Sequence, residues 1–299
     1  MLIVIALGGN ALLQRGEPLS SDYLIKNTIL AAKSIAQVAK EHKVLIVHGN
    51  GPQVGLLALQ SEAYKKVPPY PFDILVAESQ GMIGYPLQQS LANNLYDKEV
   101  VTLLTRIIVS KKDTAFQDPT KFVGPVYEEE QAKRLQKEKG WIVKRDGEFW
   151  RRVVPSPKPL EVIEIDTIKS LINKGTIVIA GGGGGIPCVK DADKIEGVEA
   201  VIDKDLAAAL IAKKLGADKL IILTDVDAVY ENYGTKNSKA LRNITVSETK
   251  QYNFPAGSMK PKIEAICDFV EHTGHNGNIG QLDKLIEILQ EQSGTLIKK

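Results

Sequence analysis

The sequence predicts an α/β fold organised around a parallel sheet, and three stretches carry that expectation. Residues 2–7 are apolar and run into Gly8-Gly9-Asn10. Residues 44–48 run into Gly49-Asn50-Gly51-Pro52, and residues 177–180 run into five consecutive glycines, Gly181 to Gly185. Short apolar, β-branched runs bounded by turn residues read as strands buried on both faces, as parallel strands are. Each glycine loop leads toward a helical stretch. Ligands of open α/β sheets sit at the carboxyl ends of the strands, so the three loops are expected to converge on one edge as a polyanion site. Five glycines in a row are costly to order, and an anion held on bare backbone N–H groups would offset that cost. The bland alternative is a flexible loop without a ligand, but flexible linkers carry serine and polar residues and this run is joined to a strand.

Composition narrows the class. The 299 residues suffice for one large domain or two lobes. A formal net charge of +2 implies no strong field for nucleic acid or membrane, and 43% apolar residues suit a soluble globular chain. Cys188 and Cys267 are the only cysteines and build no disulfide framework, which points to a reducing, cytoplasmic compartment. The apolar N-terminus lacks a basic leader and glycines break it at once, so it reads as a strand and not a signal peptide. No apolar run is long enough to span a bilayer.

In chain order, Ser20, Ser21 and Asp22 are candidate N-caps for a helix over 23–41, with Ile25, Ile29, Ala32, Ile35, Ala36 and Ala39 on its apolar face. After strand 44–48 a helix is expected over 53–63. Pro68, Pro69 and Pro71 interrupt, and a second helix fits 74–94. Residues 100–109 are strongly β-prone. Residues 113–159 then break the rhythm with five prolines, at 119, 125, 155, 157 and 159. Within them, 141–144 and 149–154 flank Asp146-Gly147, a strong hairpin signal, and 128–138 reads as a short charged helix. So long an excursion from a compact domain is usually functional, and it is read as a lid. The α/β rhythm resumes with a helix over 166–174, strand 176–180 and an extended stretch 195–202. Asp203-Lys204-Asp205 opens a helix that Gly216 closes. Strand 220–224, helices over 259–270 and 279–290, and a last strand near 295–297 complete the chain.

Two common nucleotide motifs are missing. No G-x-x-x-x-G-K-[ST] loop occurs, and counting from Gly181 and Gly183 the third glycine of a dinucleotide fingerprint is Ile186. Three lysines stand out instead. Lys204 sits between two carboxylates at a helix start, Lys262 starts another helix after Gly257-Ser258-Met259-Lys260-Pro261, and Lys121 lies in the lid within Asp118-Pro119-Thr120-Lys121. Any one of 38 basic residues is more often a solvated charge. Three of them beside glycine loops form the positive cradle that transfer of a terminal phosphoryl group needs. Asp205 would pair with the lysines, position a metal, or complement the helix dipole. His48 reads as the end of a strand more than as a catalytic base. His272 and His275 have no second cluster beside them, so no metal site is assigned.

These stretches resemble the carbamate kinases of the amino acid kinase family. The resemblance runs nearly end to end. It includes Ala6-Leu7-Gly8-Gly9-Asn10-Ala11-Leu12, His48-Gly49-Asn50-Gly51-Pro52-Gln53-Val54-Gly55, Ala77-Glu78-Ser79-Gln80-Gly81-Met82-Ile83-Gly84-Tyr85 and Phe116-Gln117-Asp118-Pro119-Thr120-Lys121. It continues through Arg151-Arg152-Val153-Val154-Pro155-Ser156-Pro157, the glycine run, residues 197–205 and Leu223-Thr224-Asp225-Val226. The Ala-Glu-Ser-Gln-Gly and Arg-Arg-Val-Val-Pro-Ser-Pro blocks are the ones most specific to carbamate kinases. The resemblance implies one amino acid kinase domain over 1–299, a three-layer sandwich around an open, mainly parallel eight-stranded sheet. It also implies a protruding lid subdomain at about 113–159 and a homodimer. The implied reaction is reversible phosphoryl transfer between ATP and carbamate, giving ADP and carbamoyl phosphate, with Mg²⁺ and often run toward ATP.

By motif, the resemblance makes Lys121, Lys204 and Lys262 the phosphate-neutralising lysines and Asp205 the organiser of Lys204 and Lys262. Gly8, Gly9, Asn10, Gly49, Asn50 and Gly51 become the cradle for carbamate and the transferred group, in the half 1–165. Gly181, Gly182 and Gly183, with Asp225, Tyr230, Tyr252 and Met259, fall to the nucleotide side in the half 166–299. The chain departs from the family pattern at Ser110, Phe122 and Lys260, where Asp, Pro and Gly are usual, and at the less apolar Asn276-Gly277-Asn278. Lys260 adds a charge near the expected nucleotide phosphates. Carbamate is already an anion, so its oxygen needs no general base, and catalysis reduces to alignment and charge neutralisation. The competing readings are another kinase of this fold, acting on acetylglutamate, aspartate or UMP, and a non-catalytic nucleotide-binding regulator.

Overall fold

The computed structural model describes residues 1–13, 16–192, 194–255 and 257–299, without the side chains of Asn10 and Ala11. Its centre is an eight-stranded sheet in the order Asn243–Thr245, Thr295–Lys298, Gly277–Gln281, Lys219–Thr224, Leu2–Leu7, Lys43–His48, Ile177–Ile179 and Val100–Thr102. Every neighbouring pair is parallel except Gly277–Gln281 with Thr295–Lys298. Side chains alternate across a strand, and here both sets are buried. Val4, Ala6, Leu45, Val47 and Val178 pack against the helices Ile165–Asn173, Lys204–Leu215 and Met259–Thr273. Ile3, Ile5, Leu7, Ile46 and Ile179 pack against the helices Ser21–Glu41, Phe72–Ala92 and Leu285–Leu289. The continuous apolar runs of the sequence are therefore the middle layer of a three-layer sandwich. Among the described residues no helix is long and apolar enough to cross a membrane.

The excursion is a small body of its own. Its three antiparallel strands are ordered Lys121–Tyr127, Phe149–Val154 and Ile142–Asp146, with the helix Glu129–Lys139 packed on them. Tyr127, Ala132, Trp141 and Val143 form its core. The Asp-Gly hairpin forms as expected, with Asp146 paired to Phe149 and Gly147 at φ 65°.

Three expectations change. Residues 100–109 are two strands in two sheets. Val100–Thr102 edges the main sheet, and Arg106–Ile108 pairs with Ile186–Asp191 in a separate four-stranded sheet. The break is held by Thr105, whose N–H donates to Gln80 Oε1 at 2.9 Å. Of residues 195–202, only Lys194–Gly197 forms a strand. Residues 279–290 do not form one helix. Gly277–Gln281 enters the main sheet, where added Cβ atoms at Gly277 and Gly280 would press on Ile266 and Ile288 at 2.6 Å, and only Leu285–Leu289 is α-helical.

The glycine run is a packed turn before it is anything else. Gly181, Gly183, Gly184 and Gly185 have φ of 65°, 67°, 88° and 87°. A Cβ on Gly184 would meet the Ile202 carbonyl oxygen, and one on Gly185 would lie 2.6 Å from Ile107. The Gly181 N–H donates to Thr105 Oγ1 at 2.9 Å, the Gly184 N–H to the Gly181 carbonyl at 3.0 Å, and the Gly185 N–H to the Gly182 carbonyl at 3.1 Å. Protein contacts thus supply much of what the sequence reading assigned to a bound anion. Beside the run, His48 is buried at the end of its strand. Its Nδ1–H donates to the Gly49 carbonyl at 3.0 Å, and Nε2 has no partner. Burial, opposed by the Gly49 contact and reinforced by Lys204, lowers its pKa from 6.5 to about 4.

Two expectations follow from this packing. Gly184→Ala should cost roughly 3 kcal/mol or more, since backbone and space both exclude a side chain. Gly216→Ala, at φ 62° with open space around it, should cost only about 1–2 kcal/mol; equal costs in urea unfolding would contradict the packed-turn account. For His48, the unfolded imidazole takes up its proton near pH 6.5 and the folded one only near pH 4. Stability should therefore be highest above pH 6.5 and fall by about 3 kcal/mol as pH drops from 6.5 to 4. His48→Gln should lose that contribution, and parallel pH–stability curves for the two proteins would show that His48 is not held neutral.

Candidate active site

The carboxyl ends of Leu2–Leu7, Lys43–His48 and Lys219–Thr224 open onto one cleft of about 290 Å³. Gly8, Gly9, Gly49, Asn50, Gly51 and Gly183 line it, together with Lys121, Asp203, Lys204, Asp205, Asp225, Lys262, Thr224, Gly257, Ser258 and Pro261. Three helices, Gly51–Ala63, Lys204–Leu215 and Met259–Thr273, start on this cleft. First-turn N–H groups lack intrahelical partners, and the helix dipole is positive there, so the convergence favours an anion.

Space is tight at two of the cleft glycines. A Cβ on Gly8 would lie 2.7 Å from the Leu223 carbonyl oxygen, and one on Gly49 would lie 3.3 Å from both the Gly9 nitrogen and the Lys204 side chain. Asn50 is fixed from below. Its Nδ2 donates to Ser79 Oγ at 2.8 Å, and the Ser79 hydroxyl donates to the Val76 carbonyl at 2.7 Å. Gln80 Nε2 donates to the Gly182 carbonyl at 2.9 Å. The Ala-Glu-Ser-Gln-Gly block therefore supports two of the glycine loops from underneath.

Asp205 is the centre of the charge arrangement. One carboxylate oxygen pairs with Lys204 and the other accepts from Lys262 Nζ at 2.9 Å. Burial alone would raise its pKa, but the two ammonium groups outweigh burial and hold it well below the usual carboxylate range. Lys204 is pushed down by burial, with Asp205 opposing and Lys262 adding to the shift. Lys262 is raised, because Asp205, Asp203 and Asp225 together exceed its desolvation. Asp203 does two jobs. Its Oδ1 accepts the Asp205 N–H at 2.9 Å as the helix N-cap, and its Oδ2 accepts from Lys121 Nζ at 2.7 Å. The excursion thus delivers Lys121 to the same cleft as Lys204 and Lys262. The lysines Lys121, Lys204 and Lys262 face the aspartates Asp203, Asp205 and Asp225, so side-chain charge balances and the helix termini supply the positive bias.

Other expected residues lie elsewhere. Gly183 is the member of the glycine run on the cleft, with Gly181 and Gly182 beneath it. Tyr230 donates to Asp227 Oδ1 at 2.6 Å beside Tyr233. Tyr252 lines a separate hollow near Cys267, and Met259 packs on the core. None of Tyr230, Tyr252 or Met259 lines the cleft. Lys260 pairs with Glu264 at 3.9 Å on the helix surface and lines that same hollow rather than the cleft. Asn10 is in the short helix Gly9–Leu12, and its side chain lies outside the described residues. In the sequence Asp203 reads only as part of a helix start, and its pairing with Lys121 appears only in the structure. Among the described residues no group of three or more His, Cys, Asp or Glu is arranged to hold a metal. The cleft carboxylates Asp203 and Asp225 are hard donors, in the number that Mg²⁺ takes from protein when phosphates complete its shell.

Residues 1–280 match the Amino acid kinase family. A carbamate kinase of Escherichia coli is 50% identical, over 99% of this chain and 98% of that protein. One from Rhizobium meliloti is 49% identical over 99% and 93% of the respective chains. The solved structure of a Giardia lamblia carbamate kinase bound to AMP-PNP superposes with a TM-score of 0.92 at 42% identity, covering 100% of this chain and 98% of that one. The chain belongs to the amino acid kinase family, on its carbamate kinase branch.

Proposed function

We propose that this cleft carries out the carbamate kinase reaction with its lysines as the charge-neutralising groups, and that the reaction runs mainly toward ATP. The observation that supports this best is the Lys204–Asp205–Lys262 bridge where three helices start. A carboxylate oxygen of carbamate attacks the terminal phosphorus of ATP, the bond to the bridging oxygen breaks, and ADP leaves with that electron pair. The reverse direction returns the phosphoryl group to ADP. The nucleophile carries its own charge, so no base is needed, in keeping with a neutral His48 whose Nδ1–H is engaged by Gly49.

In this reading Gly8, Gly9, Asn10, Gly49, Asn50 and Gly51 hold carbamate and the transferred group. Lys204 and Lys262 neutralise charge that develops on the equatorial oxygens, and Asp205 keeps both ammonium groups in place. Lys121 enters from the lid, displacing water as it does so. Gly183 and Asp225 lie toward the nucleotide, with Gly181 and Gly182 shaping the turn beneath it and Tyr230, Tyr252 and Met259 reached by nucleotide extending beyond the cleft. The half 1–165 would then serve carbamate and the half 166–299 the nucleotide. Mg²⁺, held by Asp203 or Asp225 together with the phosphates, would offset phosphate charge when bound. A homodimer in the cytoplasm completes the proposal.

The direct test is ATP formation from ADP and carbamoyl phosphate by purified protein with Mg²⁺. Phosphorylation of acetylglutamate or aspartate, with carbamoyl phosphate ignored, would overturn the assignment. Two variants test the division of roles. Lys204→Ala should lower turnover on the order of a hundredfold with the fold intact. Lys121→Ala should cut turnover and weaken use of carbamoyl phosphate, while ADP affinity by calorimetry changes little. A parallel collapse of ADP binding would instead put the lid in the nucleotide site.

A further inference from the structure

The Arg151-Arg152-Val153-Val154-Pro155 block contributes no residue to the transfer cleft. Arg152 nonetheless has only 19% of its side chain exposed. Its guanidinium carbon lies 4.6 Å from the Trp141 ring centroid and 4.9 Å from that of Phe72. Nη1 is 3.7 Å from Glu62 and Nη2 is 3.8 Å from Glu199, ion pairs too long to be hydrogen bonds. The four partners divide between lid and body. Trp141 belongs to the lid. Phe72 starts the helix Phe72–Ala92, and Glu62 is near the end of the helix that begins on the cleft at Gly51. Glu199 precedes the Asp203 loop and accepts the Phe72 N–H at 2.8 Å.

Arg152 is also linked by register to Lys121. Across the lid sheet Arg152 pairs with Val123 and Val154 pairs with Lys121. The Val201 N–H donates to the Pro155 carbonyl at 3.0 Å, joining the lid exit to the segment that leads to Asp203. Beside this clamp lies a larger cleft of about 830 Å³, lined among others by Tyr64, Tyr70, Trp141 and Arg152.

We infer that Arg152 is a positioning residue. Gripped between a lid ring and a body ring, it sets the angle of the lid and so places the Lys121 ammonium over the transferred group. This inference rests on the proposed role of Lys121. A planar guanidinium suits the grip because it stacks on both rings while facing two carboxylates, and a lysine ammonium has no such plane. Small misplacements of a charge-neutralising group cost rate without removing the group.

The test is a double-mutant cycle in the ATP-forming assay. Arg152→Lys should lower kcat on the order of tenfold in the parent, leave ADP affinity unchanged, and in a Lys121→Ala background lower kcat by no more than about twofold further. The chain has two tryptophans, Trp141 and Trp150, both in the lid, so a shift in intrinsic fluorescence should accompany Arg152→Lys in either background. Equal fold-losses in both backgrounds, or an unchanged kcat with only a lower unfolding midpoint, would make Arg152 a structural residue and overturn the inference. If Arg152→Lys does not fold, Trp141→Leu removes the lid ring and runs the same cycle with the same criteria. A parent protein that makes no ATP from carbamoyl phosphate would instead overturn the functional reading, and the inference with it.

Discussion

One buried carboxylate shared by two lysines is the constraint on which the cleft depends. Lys204 and Lys262 both sit in first turns of helices, where the dipole already disfavours a cation, and both are largely removed from water. Neither position would be tenable without Asp205, which holds one ammonium group on each oxygen. The two lysines come from helices whose starts lie 55 residues apart, at Lys204 and Met259, so the bridge also fixes how those helices meet. A carboxylate in this place holds one cation on each of its oxygens.

The supports around that bridge are mostly backbone. Asp203 caps the helix that carries Lys204 and Asp205, and the same side chain receives Lys121 from the lid. The order of the helix start and the place of the lid lysine are thus coupled through one residue. Underneath, the glycine run turns away from its strand through positive φ angles and packs its bare Cα atoms against His48, Asn50, Ile202 and Ile107. A turn this tight brings Gly183 to the cleft that Gly49 and Asn50 also line. Five glycines are therefore compatible with a rigid wall, because protein contacts on nearly every side restrict their freedom.

The lid follows a different logic. It has its own small core, and its Val123 and Val154 are also buried in a cluster with Val54, Phe72, Leu75, Val76 and Val201 of the body, beside the charged contacts of Lys121 with Asp203, Lys139 with Glu62, and Arg152 with Glu62 and Glu199. The ion pairs of Arg152 with Glu62 and Glu199 are longer than hydrogen bonds.

The sequence by itself determined the layers and the loops. Residues 2–7, 44–48 and 177–180 were legible as buried strands because a strand covered on both faces leaves no polar alternation, and glycine loops after them mark the carboxyl edge of a parallel sheet. The Asp146-Gly147 hairpin, the helix closed by Gly216 and the pairing of Lys204 with Asp205 were local enough to read, since each depends on neighbours within a few residues. Tertiary structure alone decided the rest. Residues 100–109 divide between two sheets because their partners, Ile177–Ile179 and Ile186–Asp191, lie on either side of the glycine turn. Gly277–Gln281 is a strand because its place beside Lys219–Thr224 outweighs the apolar spacing that suggested a helix. Met259 and Lys260 fall outside the cleft because the helix start that carries them exposes only one face to it, and Tyr230 and Tyr252 because the strand Val229–Glu231 and the bend at Tyr252 lie away from it. Asp203 and Arg152 gain their partners from segments 82 and 80 residues distant, Lys121 and Phe72, and contacts across such separations leave no periodic trace in a single chain.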